Sequence, residues 1–186
     1  MRACCRWSKE DISKQKSKTE IIVFGSGGSR SLPDGVSKEE GVRHFTELLA
    51  DIGPIAEEYG ITVVVEPLAS EFRNFINSVA EAGRIVKDVD HPDIKLLADF
   101  YHMSRDSQGP GDLLKYGEHI RHIHLAEKER RTPPGIDRFD FMPYLKALAE
   151  AGYSGAFSFE AAWDDLKTQA AGSAAYFRSL IDKAGF

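Results

Sequence analysis

Cysteine is scarce in this 186-residue chain: there are two, Cys4 and Cys5, and they are neighbours. Adjacent thiols rarely bridge each other, and two are too few for a disulfide framework. A disulfide-stapled secreted scaffold is therefore excluded, and a reducing compartment is expected. Long apolar runs are missing too, since no stretch approaches the roughly 18 residues that a membrane span needs. The polar start (Ser8, Lys9, Glu10, Asp11) lacks the apolar core of a secretion signal. Together these absences predict a cytoplasmic protein with no membrane partner. A basic excess is also lacking. The net charge of -5 argues against nucleic acid as a partner, because a phosphate backbone is met by a basic footprint. Internal repeats and low-complexity tracts are absent as well.

What is present is ordinary globular composition: 42% hydrophobic residues suffice for a core and 28% charged residues for a solvated surface. Five short apolar segments alternate with longer amphipathic ones. The segments are Ile21 to Phe24, Ile61 to Val65, Ile94 to Ala98, Ile120 to Leu125 and Gly155 to Phe159. Their length and apolar density predict strands buried on both faces of a parallel sheet. Between them, Ser37 and Glu40 form a capping box. The apolar positions from Val42 to Ala56 keep helical spacing up to a stop at Gly60, with a kink expected at Pro54. Further helices are expected over Asn77 to Val89, over Pro143 to Ala151 closed by Gly152, and over Ala162 to Ala184 with an interruption around Gly172. Met1 to Glu10 reads as a helix followed by a lysine-rich loop. The domain division is therefore residues 1–20 as an N-terminal helix and polar loop, and residues 21–186 as part of a (β/α) barrel. A full (β/α)₈ barrel takes about 250 residues, so the fold class is α/β, a partial (β/α)₈ TIM barrel of about five parallel strands with surrounding helices.

In a parallel α/β fold the C-terminal strand ends share one face, where active sites form. Four of the five strands end in or next to a metal-ligand residue: Glu66, Asp99, His124 and Glu160. A single acidic residue after a strand is most often a helix N-cap or a solvated loop residue. Three converging carboxylates, however, repel one another and are costly to bury without a neutralising partner. One divalent cation resolves the conflict, and three oxygen donors with one imidazole suit Mn²⁺, Mg²⁺, Co²⁺ or Zn²⁺. His122 lies two residues before His124, on the same strand face, as a core histidine or a partner to the ligands. His102, in the loop after the third strand, is either an exposed loop residue or a contact for a substrate oxygen. The charged loop Glu127 to Phe141 overhangs the same face, and an arginine in it can hold substrate oxygens through its forked donors. The turn Gly25 to Arg30 lacks the Gly-Lys-Ser/Thr ending of a P-loop and reads as a tight loop lining the pocket, with Arg30 a substrate or structural contact.

Val65-Glu66-Pro67-Leu68, Ala98-Asp99-Phe100-Tyr101-His102-Met103, His122-Ile123-His124-Leu125 and Ser158-Phe159-Glu160 resemble the xylose-isomerase-like sugar phosphate isomerase/epimerase family, within it the ketose 3-epimerases. The resemblance covers Ile21 to Trp163 and treats the chain as N-terminally incomplete. It implies that Glu66, Asp99, His124 and Glu160 bind one divalent metal ion. It implies that Glu66 and Glu160 are also catalytic, exchanging protons with the substrate from opposite faces, and that His102 and Arg130 are substrate-binding. The reaction implied is ketose C3 epimerisation or aldose-ketose isomerisation through a metal-stabilised enediolate, on a small sugar or sugar phosphate. One departure is that such epimerases often carry a glutamate six residues after the first ligand, where this chain has Phe72 beside Glu71. A related polyol dehydratase and a non-catalytic metal-binding remnant of the barrel share the same ligand logic. An abasic-site endonuclease shares the fold but needs more metal ligands and a basic face. Five strands leave two unpaired sheet edges, so the chain is expected either to form a homo-oligomer that covers them or to be a fragment of a longer gene product.

Overall fold

The computed structural model describes residues 19–186; the helix and loop expected before Thr19 lie outside them. The strands are β1 (Ile21–Phe24), β2 (Thr62–Val65), β3 (Ile94–Asp99), β4 (Ile120–Leu125) and β5 (Ala156–Phe159). They form one sheet in the order β1-β2-β3-β4-β5, parallel at every junction. Each strand follows its neighbour in sequence, so every crossover adds the next stave of a barrel, and the sheet curls into half of one. All five expected segments are strands, with limits shifted by a residue at most.

The helices are α1 (Lys38–Tyr59), α2 (Val79–Val89), α3 (Phe100–Arg105), α4 (Gly111–Lys115), α5 (Met142–Glu150) and α6 (Leu166–Ala184). Ser37 caps α1 by accepting from the Glu40 amide at 3.1 Å, and Gly60 ends it at a φ of 64°. The helix runs through Pro54 as one element. Ser78 caps α2 in the same way, through the Glu81 amide. Each such cap is worth about 1 kcal/mol.

Alternation along the strands sorts the side chains. Val63 and Val65, Leu96 and Ala98, and Ile123 and Leu125 enter the core with Phe45, Leu49, Val86, Leu145 and Phe177 from the helices. The residues between them, Val64, Leu97, His122 and His124, face the concave side, and the strand ends deliver Glu66, Asp99 and Glu160 to its rim. β1 and β5 each pair on one side only among the described residues, and Ile22 and Val23 of β1 remain 39% and 38% exposed. Among the described residues no helix is long and apolar enough to cross a membrane.

Two helical expectations change. The last helix is not interrupted around Gly172: it starts at Leu166 after the N-cap Asp165 and continues to Ala184. A lone glycine in a helix costs about 1 kcal/mol, which the burial of Ser173, Phe177 and Leu180 outweighs. The segment after β3 is not an open loop but α3. All five of its first residues, Phe100 to Ser104, are buried, so its sequence carries no amphipathic period to reveal it. A Cβ at Gly172 would meet open space. Gly172→Ala is therefore expected to stabilise the fold by about 1 kcal/mol, read as a higher melting temperature.

Candidate metal centre

The parallel ladder continues one residue past two of the strands. The Glu66 amide donates to Phe24 O at 3.3 Å and the Glu160 amide to Leu125 O at 3.1 Å, which fixes both glutamates against a neighbouring strand end. Asp99 and His124 are direct register partners across β3 and β4. As a result, one donor atom each from Glu66, Asp99, His124 and Glu160 lies within 4.8 Å of all the others. His124 Nδ1 is 2.9 Å from Glu66 Oε1 and 2.9 Å from Glu160 Oε2. Glu66 and Asp99 are buried, whereas the Glu160 side chain is half exposed at the rim.

Asp99 does two jobs with two oxygens. Its Oδ1 caps α3, accepting from the Tyr101 amide at 2.7 Å and the His102 amide at 3.4 Å. Its Oδ2 is buried and has no hydrogen-bond partner. One oxygen thus meets the helix-cap reading of a strand-end acid, and the other is left for a cation. Donors on a common cation at about 2.1 Å lie roughly 3 to 4 Å from one another. The observed spacing is close to that, and the orphaned Oδ2 is what a cation would satisfy, so the four side chains fit one divalent ion.

The protonation pattern has the same origin. Burial raises the Asp99 carboxyl to about 7, with the Glu66 charge pushing the same way and Arg131 pulling back. For His124 burial resists protonation, but the hydrogen bonds to Glu160 and Glu66 and their charges prevail and raise it to about 9. The His124 contact in turn holds Glu160 below its usual value, against the effect of burial.

The structure places His102 differently from the loop position expected. It is buried in α3, and its Nδ1 accepts from the Ala69 amide at 3.2 Å. The neutral tautomer therefore carries its proton on Nε2, which lies 3.8 Å from Asp99 Oδ2. Burial holds its pKa down, so a neutral N–H donor faces the cluster. His122 Nε2 is 2.9 Å from Ser158 Oγ, and its ring stands edge-on to His124 at 5.3 Å.

Arg130 is not brought to the cluster. Its side chain is 63% exposed and pairs with Asp137. Its neighbour Arg131 turns inward, with Nη2 2.9 Å from Glu160 Oε2 and 3.7 Å from Asp99 Oδ2. The family resemblance singles out Arg130, and no local signal marks the left-handed φ of 55° at Arg131 that redirects the chain. The loop that carries both arginines is no solvated charge run. Glu127 is fully buried within it and accepts from Thr132 Oγ1 at 3.0 Å, the Gly135 amide at 2.8 Å and the Phe139 amide at 3.3 Å. As the first residue of a charge run, Glu127 gave no sign of this.

Phe72 lies half open beside the site, its ring 5.6 Å from that of His102. Glu71 does not take its place, being paired with Arg105 at 2.5 and 2.9 Å. Arg30 is structural: it is buried, donates to Phe24 O, and packs over the Phe24 and Phe45 rings at 5.3 and 4.8 Å. Burial lowers it to about 10, against the Glu66 charge. The glycine turn lines the site through Gly25, where a Cβ would sit 1.8 Å from Glu66 Oε2.

A sequence model of the xylose isomerase-like TIM barrel matches residues 14–180 of the chain. The chain belongs to that family. This family member is 29% identical over 156 residues to the D-psicose 3-epimerase of Ruminiclostridium cellulolyticum, a match covering 81% of the chain and 53% of the relative. The chain thus spans about half the length of the curated relative it matches. A crystal structure of L-ribulose 3-epimerase superposes with a TM-score of 0.78 at 19% identity, over 89% of this chain and 62% of that one. The IolI protein crystallised with a bound zinc atom gives 0.74 at 19% identity, over 89% and 64%. These two likenesses concern the fold. The relatives that the chain matches over part of their length are named as epimerases and, in one case, a putative isomerase.

Two outcomes test the centre. Folding raises the Asp99 pKa from 3.8 to about 7 and that of His124 from 6.5 to about 9. The native state therefore binds more protons than the unfolded chain across both windows, and stability falls as pH rises through them. Metal-free protein is expected to melt lower at pH 9 than at pH 6, and saturating Mg²⁺, which needs both groups deprotonated, to shrink that difference. Gly25→Ala is expected to weaken metal binding at least about tenfold by displacing the Glu66 carboxylate, on the scale of losses at residues that orient ligands. Calorimetric titration with Mn²⁺ reads that change.

Proposed function

We propose that this chain carries the catalytic centre of a divalent-metal-dependent isomerase or epimerase of small sugars or sugar phosphates, acting at a carbon beside a ketone. Glu66, Asp99, His124 and Glu160 hold one Mn²⁺, Mg²⁺, Co²⁺ or Zn²⁺. The observation that carries the reading is the convergence of these four donor atoms, from the ends of four successive strands, within 4.8 Å. The bound cation supplies Lewis-acid stabilisation of negative charge on the substrate's carbonyl and neighbouring hydroxyl oxygens.

The protein's own groups do the rest. Glu66 and Glu160 stand at the ends of β2 and β5, with β3 and β4 between them, and reach the site from its two sides. One carboxylate takes the proton from the carbon beside the carbonyl, and the other returns a proton to the opposite face, which inverts the carbon. Buried Glu66 is shielded from exchange with bulk water, while half-exposed Glu160 can trade its proton with solvent. His102 offers its Nε2–H to a substrate oxygen, held in that tautomer by the Ala69 amide. Arg130, at the family's spacing from His124, is the second oxygen contact and exchanges Asp137 for the substrate. A homo-oligomer that covers the open edges of β1 and β5, in the cytoplasm, completes the reading; light scattering on a purified sample measures the assembly.

The test is metal-dependent exchange of the ketose C3 proton with deuterated water. Wild-type protein with Mn²⁺ is expected to incorporate deuterium, and Glu160→Gln to lose at least about 100-fold in rate, the usual contribution of a positioned acid or base. Absence of exchange for every ketose tried, with metal demonstrably bound, would replace this reading with a polyol dehydratase or a non-catalytic metal-binding half-barrel.

A further inference from the structure

Arg131 is held against the carboxylate cluster by four separate contacts. Its Nη2 lies 2.9 Å from Glu160 Oε2 and 3.7 Å from Asp99 Oδ2. Its Nε donates to Glu160 O at 3.2 Å, and its guanidinium carbon stands 4.8 Å from the centre of the Tyr101 ring, a cation–π distance. Its backbone is anchored as well: the left-handed φ of 55° turns the residue inward, and its carbonyl accepts from the Ala162 amide at 2.7 Å. A β-carbon costs energy in that conformation, so tertiary contacts hold it there.

The two positive groups at the cluster are not equivalent. The proton on His124 Nδ1 leaves when that nitrogen takes a metal, whereas a guanidinium keeps its charge at any working pH. Arg131 therefore remains a full charge at a donor oxygen, Glu160 Oε2, that a metal ion needs. Like charges so close in a partly buried site repel strongly.

We propose that Arg131 is the internal counter-cation of the metal centre: it neutralises the carboxylates in the metal-free protein, competes with the divalent ion for Glu160, and so sets the metal affinity low enough for exchange. This rests on the metal-site reading above. Arg131 thereby has a role separate from that of Arg130, which the fold directs to Asp137.

The test titrates Mn²⁺ into the full chain by calorimetry and records melting temperature without metal. Arg131→Gln is expected to bind Mn²⁺ at least about tenfold more tightly than wild type, about 1.4 kcal/mol, and to melt lower than wild type when metal-free. Arg131→Met, which keeps the aliphatic stem over Tyr101, is the second neutral variant should the glutamine variant not fold. Arg131→Lys keeps the charge and is expected to stay near wild-type affinity. Arg43→Gln removes an exposed arginine paired with Glu47 on α1 and controls for net charge. Unchanged or weaker Mn²⁺ binding in a folded neutral variant overturns the counter-cation role and leaves the metal site standing. A wild-type chain that binds no Mn²⁺ overturns both.

Discussion

Mutual repulsion among three carboxylates is the constraint around which this structure is organised. Glu66, Asp99 and Glu160 offer oxygens within 4.8 Å of one another and of His124, and the first two are buried. Such a cluster is costly unless positive charge is supplied. The fold supplies some of it from within: a His124 that keeps its proton to about pH 9, the inward-turned Arg131, and a backbone cap on Asp99 Oδ1. It still leaves Asp99 Oδ2 without a hydrogen-bond partner. This incomplete compensation is what a divalent cation would complete.

The surrounding fold holds the cluster in place against that repulsion. Parallel strands in sequential order put every C-terminal end on one rim, and ladder bonds from the Glu66 and Glu160 amides extend the sheet to these two residues themselves. Behind the rim, the helix-facing side chains of β2, β3 and β4 pack into one continuous core, so displacing one of the four side chains strains tightly packed neighbours. Buried Glu127 pins the β4–α5 loop through backbone amides, which gives Arg131 a rigid platform. Gly25 leaves the space that the Glu66 carboxylate fills. The geometry of the four side chains and that of the loops around them are thus parts of one arrangement.

Much of this was legible along the chain. Short, dense apolar segments separated by capped amphipathic helices specify a parallel α/β sheet, and their boundaries match within a residue. The acids and the histidine at the strand ends stood out because strand polarity alone sends them to one face. The parts that stayed hidden share a physical cause. The first five residues of helix α3 are buried, so it shows no amphipathic period; Gly172 looks like a break until Phe177 and Leu180 are seen packed against the core. Glu127 heads a charge run, and nothing in its sequence surroundings shows that Thr132 Oγ1 and the Gly135, Asp137 and Phe139 amides converge on it.

By itself the sequence determined the five strands, the amphipathic helices between them, the fold class, and which four side chains stand at the strand ends, because these follow from periodicity, capping and chain direction, all local properties. Only the tertiary structure decided that Arg131 rather than Arg130 faces the carboxylates, that His102 is a buried donor with a defined tautomer, and that Asp99 divides its oxygens between a helix cap and the site. Those outcomes depend on a left-handed backbone turn, on amides donated from distant residues and on burial. Each is set by contacts between segments far apart in the chain, which no local pattern records.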